Sequence, residues 1–380
     1  MDAVAKLKLL GPATRFEPAE EVGFARRPSS HRQADDLAEC IHHAVMSGGK
    51  RIALLKTLLT SACERDCRYC AFRQGRDFQR ATFYPDELAR LFMKLHQSGI
   101  AQGIFLSSAV AGGGPSTEDR LIDTAKILRH RYDFRGYIHL KVMPGAERDQ
   151  IATAMGLADR VSVNLEAPNT KRLSSLAPHK TFNDELLQRL RWIEEIRRER
   201  PGHWPSSTTQ FVVGAGEESD VELLTTTAFL HQELGLARTY FMAFTPVAGT
   251  PLEDHPPTPP QREHRLYQAS FLLRDYGFDA EDLPFDRDGN LPLTIDPKLA
   301  WARRSLTQAP VEVNTANRQE LLRVPGIGPK GADRVLAARR QGKLRDLSDL
   351  GKLGIIPKRT APFILLDGRR PPRQLSFWPP

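Results

Sequence analysis

The stretch Leu54-Leu55-Lys56-Thr57-Leu58-Leu59-Thr60, followed two residues later by Cys63-Glu64-Arg65-Asp66-Cys67-Arg68-Tyr69-Cys70, organises the whole chain. Its first part is a β-rich apolar run. Its second part has the spacing C-x3-C-x2-C, with an aromatic residue before the last cysteine. Three closely spaced thiolates form a tripod for three irons of a cubane cluster. Such clusters normally take four Cys ligands, so three leave one iron open to an outside ligand. A zinc site would ask for a fourth ligand, usually from a second Cys or His pair. No such pair follows, and Cys40 stands alone. A disulfide framework is a poor match for four cysteines in 380 residues, three of them in one loop.

Outward from this stretch, β-rich runs alternate with amphipathic ones. Predicted strands are Ile52–Thr60, Gln102–Ala109, Gly136–Val142, Arg160–Glu166, Thr208–Val213 and Arg238–Phe244. Predicted helices are Pro85–His96, Thr117–His130, Arg148–Leu157, Asn183–Arg200, Asp220–Leu234 and Pro260–Tyr276. Six β/α repeats predict an α/β fold: a parallel sheet with right-handed crossovers, curling into a partial (β/α)6 barrel. Chemistry in such barrels sits at the C-terminal ends of the strands, which is where the Cys loop emerges. The chain divides into a helical N-terminal lead-in over residues 1–50, with Asp35–Ser47 its best helix, and the barrel over 51–276. A Pro- and Asp-rich connector over 277–310 leads to a small all-α unit over 311–369, and 370–380 reads as a disordered tail.

The charge is uneven. The full chain carries 54 Lys+Arg against 46 Asp+Glu; residues 311–380 hold 14 and 6 of these, which leaves residues 1–310 neutral at 40 against 40. A basic C-terminal part suits an anionic partner, most simply nucleic acid. Lys6 and Lys8 interrupt Met1 to Leu10, so no signal-peptide core is expected there, and no run reaches the apolar length of a membrane span. Sparse cysteine and an oxygen-sensitive cluster fit a cytoplasmic protein.

The Cys spacing resembles the radical S-adenosylmethionine (SAM) superfamily. That resemblance implies one [4Fe-4S] cluster on Cys63, Cys67 and Cys70, SAM on the open iron, and a 5′-deoxyadenosyl radical after reductive cleavage by an electron donor. It also implies a cofactor pocket. The backbone beside Tyr69 meets adenine, and Ser107 and Ser108 stand at the end of the second strand where the SAM amino group binds. Family members usually place glycines and an acid there; here Gly112, Gly113 and Gly114 come later. Asn164 and Glu166 alternate with apolar residues, so they share a face and reach the ribose or the substrate. Gly214, in Val213-Gly214-Ala215-Gly216-Glu217, offers adenine a low-bulk approach or forms a plain turn. His139 and Lys141 share a parity on the third strand and suit either the lumen or a structural role.

Residues Leu321 to Arg340 read as helix, Val324-Pro325-Gly326-Ile327-Gly328-Pro329-Lys330 turn, and helix, which resembles the helix-hairpin-helix DNA-binding motif. Gly326 and Gly328 let the backbone approach a phosphate, the second helix offers its free N–H groups, and Lys330 and Arg334 add charge. A degenerate second hairpin follows at Leu353-Gly354-Ile355-Ile356-Pro357-Lys358. Such hairpins grip sugar-phosphate and carry little sequence information.

Together with Phe105-Leu106-Ser107-Ser108, Gly136-Tyr137-Ile138-His139-Leu140-Lys141, Leu176-Ala177-Pro178-His179-Lys180 and Asp296-Pro297-Lys298-Leu299-Ala300-Trp301-Ala302, these motifs resemble a bacterial family of DNA modification or repair radical SAM proteins. The resemblance runs from Arg51 to Phe363 and implies a uracil-DNA-glycosylase-like partner. Residues 1–50 match poorly. One spare cysteine is too few for an auxiliary cluster or for the paired cysteines of rRNA-type methylation, which leaves hydrogen abstraction from a flipped or single-stranded nucleotide. The alternative is a non-catalytic iron–sulfur DNA-binding protein. The tail Gln374-Leu375-Ser376-Phe377-Trp378 resembles the peptide by which DNA-repair proteins bind the sliding clamp.

Overall fold

The computed structural model describes residues 1–12, 14, 40–45, 51–199 and 202–372. The tail peptide at 374–378 lies outside them. The residues fall into two compact units: residues 1–218 with 229–258, and residues 219–228 with 259–380. Among the described residues, no helix is long and apolar enough to cross a membrane.

The first unit begins with helix α1 (Ala3–Leu10) and strand β1 (Ile41–Val45). The barrel elements follow as β2 (Arg51–Leu58), α2 (Pro85–Gln97), β3 (Gly103–Ser107), α3 (Gly114–Lys126), β4 (Tyr137–Lys141) and α4 (Arg148–Leu157). Then come β5 (Arg160–Ser162), α5 (Thr170–Leu176), α6 (Gln188–Glu199), β6 (Ser206–Val213), α7 (Asp220–Glu233), whose residues 220–228 are grouped with the second unit, and β7 (Arg238–Ala243). The sheet order is β1 to β7 in sequence, with β2 to β7 parallel and β1 antiparallel on the edge. Strictly sequential order is the winding of a barrel, here left open. The expected α/β partial barrel is therefore the observed one.

Local chemistry explains the crossover helices. At the start of α2, Pro85 sits in the first turn, and the Glu87 carboxylate accepts from the Tyr84 N–H at 3.3 Å. Leu88, Leu91, Phe92 and Leu95 then recur at helical spacing and are buried in the core. The same capping device opens α4, where Glu147 N–H meets Gln150 Oε1 at 2.9 Å. Two predicted helices are irregular: α3 runs into a π-turn over Ile127–Arg131, and a π-turn over Phe182–Leu187 precedes α6.

The helix expected over Asp35–Ser47 is corrected where the structure describes it. Residues Ile41–Val45 form a strand paired antiparallel with β2, Ile41 opposite Leu55 and Val45 opposite Arg51. Ala44 packs with Ile52, Leu54 and Phe105, so pairing buries a face of β2 that a helix would leave uncovered. Cys40, just before β1, is fully buried, and a Cβ on Gly11 would lie 2.1 Å from its sulfur.

The second unit holds α8 (Pro260–Asp275), α9 (Pro297–Ser305), α10 (Arg318–Arg323), α11 (Pro329–Ala338), α12 (Leu347–Lys352) and α13 (Pro357–Thr360). A short parallel pair, β8 (Val311–Glu312) with β9 (Ile364–Leu365), adds to the expected helical arrangement. Leu321, Leu322, Ile327, Val335, Leu350 and Ile355 share one core with Ala302 and Phe363.

The glycine run before α3 is tied to the first unit's backbone. Gly112 and Gly113 have φ of +76° and +89°. A Cβ on Gly114 would lie 1.8 Å from the Pro144 carbonyl oxygen. Gly114→Ala is expected to cost about 2 kcal/mol or more through backbone displacement. Gly112→Ala, which meets only Ser116 Oγ at 3.8 Å, should cost about 1 kcal/mol from its positive φ alone. Urea denaturation of the two variants measures the difference.

Candidate cofactor site at the barrel mouth

The Cys loop leaves β2 at Leu58 and lies across the C-terminal edge of the sheet. Backbone bonds fix its course: Glu64 N–H to the Val110 carbonyl, Arg68 N–H to that of Leu176, and Gln74 N–H to that of Arg65, at 2.8–2.9 Å. Arg80 gathers the loop from one side, donating to the carbonyls of Ser61, Phe72, Arg73 and Arg76 at 3.0–3.3 Å. Glu64 reaches the other way and accepts from the N–H groups of Gly112 and Gly113 at 3.0–3.2 Å. The Leu176–Lys180 segment ties on as well. Arg65 donates to the His179 carbonyl at 2.6 Å and pairs with Glu185 at 2.5 Å.

Cys63, Cys67 and Cys70 line one cavity of about 110 Å³, open at its mouth. Among the described residues, no group of three or more His, Cys, Asp or Glu side chains is already gathered around a single-ion site. Two of the three sulfurs accept backbone N–H groups at 3.4 Å, Cys63 from Arg65 and Cys70 from Phe72. Sulfurs placed to accept amide hydrogens are placed to carry thiolate charge, and the donor set fits an iron–sulfur cluster. Burial pushes the Cys67 thiol up and lifts Cys70 to about 12. A bound cationic metal centre inverts that preference, because a coordinating thiol loses its proton.

Tyr69, Ser108, Asn164 and Glu166 line the same cavity. Ser107, expected at the SAM amino group, is fully buried and does not line the cavity. Regular pairing of β5 stops at Ser162, earlier than the Arg160–Glu166 strand expected. Asn164 and Glu166 still share the cavity, but through an irregular path. Glu166 has φ of +64° and makes a single bridge to Phe211, its N–H to the Gln210 carbonyl at 2.9 Å and its carbonyl accepting Val212 N–H at 2.8 Å. A left-handed non-glycine costs roughly 1 kcal/mol or more and marks a position that its surroundings enforce.

Lys180 supplies that enforcement. Its Nζ lies 3.1 Å from Glu166 Oε1, and both side chains are less than a tenth exposed. Burial, followed by the Glu166 negative charge, raises the Tyr69 phenol well above its ordinary value. Burial disfavours the Lys180 cation, but Cys67, Glu166 and Cys70 together outweigh it and hold the ammonium charged. Lys180, Lys141 and Gln210 all line the cavity. Only Lys141 was among the residues weighed for the lumen. Lys180 comes from the loop after α5, and its signal was the Leu176-Ala177-Pro178-His179-Lys180 motif, legible as a motif but not as a position.

Gly214 is not among the cavity-lining residues. Its φ is +91°, and a Cβ there would lie 2.0 Å from Thr258 Oγ1, which donates to the Val213 carbonyl at 2.6 Å. Close approach by Thr258 explains the glycine. His139 is buried against Phe105, ring centroids 4.5 Å apart.

Residues 57–230 match the Radical SAM superfamily. This segment is a radical SAM domain. Residues 307–361 match the helix-hairpin-helix motif. The cofactors that belong to a radical SAM domain are a [4Fe-4S] cluster and SAM. The chain is 26% identical over 222 residues to an uncharacterized protein of Methanocaldococcus jannaschii, covering 54% of this chain and 53% of that protein. It therefore spans about half the length of that curated relative. Among solved structures it is similar to the FeFe-hydrogenase maturase HydG from Carboxydothermus hydrogenoformans, with TM-score 0.46, 14% identity, and 58% of this chain over 51% of that one. It is also similar to methylornithine synthase PylB, with TM-score 0.46, 14% identity, and 58% over 61%.

In the second unit, α10 and α11 form the first hairpin. Gly326 has φ of +91°, and its missing Cβ makes room for Thr360 Oγ1, which donates to the Pro325 carbonyl at 3.1 Å. Gly328 is the N-cap of α11, with no side chain capping the first turn and Pro329 following. The next N–H groups of that turn lack intrahelical acceptors. Lys330 is exposed beside them. Arg334 is turned to the second hairpin, where it donates to the Leu353 carbonyl at 3.0 Å.

One buried carboxyl props the cavity wall. Glu118 on α3 is fully buried and accepts from the N–H of Met143, a lining residue, at 2.8 Å. Burial raises its pKa from 4.5 to about 8. Its folded pKa lies above its unfolded one, so between these values only the folded chain keeps the proton. Stability is expected to fall as pH rises from about 4.5 to about 8, and Glu118→Gln should flatten that fall in urea titrations across the window.

Proposed function

We propose that this protein is a radical SAM enzyme that modifies or repairs DNA. The observation that carries the reading is the convergence of Cys63, Cys67 and Cys70 with Tyr69, Asn164 and Glu166 on one cavity within a radical SAM domain. The cluster and SAM, when bound, supply a 5′-deoxyadenosyl radical. The chain's own residues do the rest. The three thiols hold the cluster. Tyr69, Ser108, Asn164 and Glu166 hold SAM, with Lys180 fixing the Glu166 carboxylate. Val163, Met143, Met242 and Phe244 give the cavity an apolar wall, which excludes water from a reactive intermediate.

The helix-hairpin-helix supports DNA as the partner, through the open first turn of α11, Gly326, Gly328, Lys330 and Arg334. The target nucleotide enters the barrel flipped or single-stranded. The reading includes a cytoplasmic location, an electron donor, a uracil-DNA-glycosylase-like partner and the sliding clamp as a ligand of residues 374–378.

Anaerobic reconstitution tests the enzyme reading. Wild-type protein with reductant and SAM should form 5′-deoxyadenosine, more with damaged than undamaged DNA. Cys63→Ala, Cys67→Ala or Cys70→Ala should abolish both the cluster absorbance and that product. Full iron loading of the triple variant would overturn it.

DNA binding should fall steeply with salt. Lys330→Ala should weaken it equally for all sequences and reduce the slope of log K against log salt by about 1. Fluorescence anisotropy across a salt series reads both effects.

A further inference from the structure

The second unit contains a cavity of about 300 Å³ whose lining includes Phe271, Tyr276, Asp296, Lys298, Pro329 and Arg359. It abuts the first hairpin. Lys298, in the first turn of α9, donates from Nζ to the Ile327 carbonyl at 2.5 Å. Ile327 immediately precedes Gly328, the N-cap of α11. The Lys298 nitrogen also lies over the Tyr276 ring, 4.6 Å from its centroid. Tyr276 closes the cavity toward the hairpin, since a Cβ on Gly328 would sit 3.3 Å from its hydroxyl. Asp296 is engaged elsewhere: Oδ1 accepts the Leu299 N–H at 2.8 Å and Oδ2 pairs with Arg359 at 2.9 Å.

This environment makes the amine a base and a nucleophile. Burial lowers the Lys298 pKa to about 7; Asp296 opposes the shift and Arg359 adds to it. Near neutral pH much of Lys298 is therefore the free amine. One N–H is held by the Ile327 carbonyl, which orients the group and leaves its lone pair unused. A neutral, positioned lysine amine condenses with carbonyl compounds. The neighbouring hairpin selects which carbonyl. Pro329, the first residue of α11, lines this cavity together with Lys298, Tyr276 and Phe271, so the hairpin and the amine face the same space.

We propose that Lys298 forms an imine with the C1′ aldehyde of a ring-opened abasic deoxyribose in DNA held by the Pro325–Lys330 hairpin. The proposal rests on the DNA-binding reading of that hairpin. The Nζ lone pair attacks C1′, and the carbonyl electron pair moves to oxygen, which takes a proton. The resulting carbinolamine loses water to give the protonated imine. Loss of a C2′ proton to water then forms the C2′–C3′ double bond as the C3′–O bond breaks, and the 3′ phosphate leaves with the electron pair. No oxidant or reductant is required, so this activity is independent of the cluster.

The test uses full-length protein and duplex DNA carrying one abasic site, with sodium borohydride added. Hydride reduces the imine to a secondary amine and locks protein to DNA. Wild type should give a covalent complex on a denaturing gel. Lys298→Arg and Lys298→Gln, each shown to be folded by its circular dichroism melt, should lose it at least tenfold. Binding to a tetrahydrofuran abasic analogue, which has no aldehyde, is measured alongside. Analogue binding without a wild-type cross-link overturns the lysine proposal alone. Absence of analogue binding overturns the DNA reading and the proposal with it. A cross-link that survives in both variants assigns the nucleophile to another amine and also overturns it.

Discussion

The barrel mouth depends on one buried ion pair. Glu166 stands in a left-handed conformation at the irregular end of β5, and Lys180 meets its carboxylate at 3.1 Å inside the cavity wall. Removing either charge from such a pair leaves the other buried and uncompensated, a penalty of about 3–5 kcal/mol. The pair does more than compensate itself. It anchors the Leu176–Lys180 segment, which in turn holds Arg65 and accepts the Arg68 N–H of the Cys loop. Loop, β5 terminus and Lys180 segment are therefore one mechanical element, and the three thiols are placed by it.

The Cys loop is otherwise an arrangement of carbonyls and amides without regular secondary structure. Arg80 satisfies four of those carbonyls, and Glu64 satisfies two amides of the glycine turn before α3. Backbone polar groups near a cavity need such partners, because water cannot serve them once ligand is bound. Charged residues between Cys63 and Arg80 divide this work: Arg73, Arg76 and Arg80 donate to the loop's own carbonyls, while Glu64 and Arg65 tie it to neighbouring segments. Their role is to hold a shape before any cofactor arrives.

The second unit shows a parallel economy. Lys298 and Thr360, distant in sequence from the first hairpin, hold its turn by donating to the Ile327 and Pro325 carbonyls. Glycine at 326 is required by the close approach of Thr360 and by positive φ. A hairpin braced in this way presents the start of α11 as a rigid donor surface.

The sequence by itself determined the α/β winding, the six parallel strands, the cluster loop at the strand ends and the two hairpins. These features are local: periodicity, capping residues, turn glycines and cysteine spacing act over a few residues, and the barrel follows from their order. Tertiary structure alone decided the rest. Strand β1 exists because β2 has an apolar face to cover, which Ala44 packs against. Gly214 reads as a cofactor approach until Thr258 is seen against it. Lys180 and Lys298 sit on irregular or loop-adjacent segments where side-chain direction has no period. Whether a lysine faces water, a carboxylate or a carbonyl is set by long-range packing, and no spacing rule encodes it.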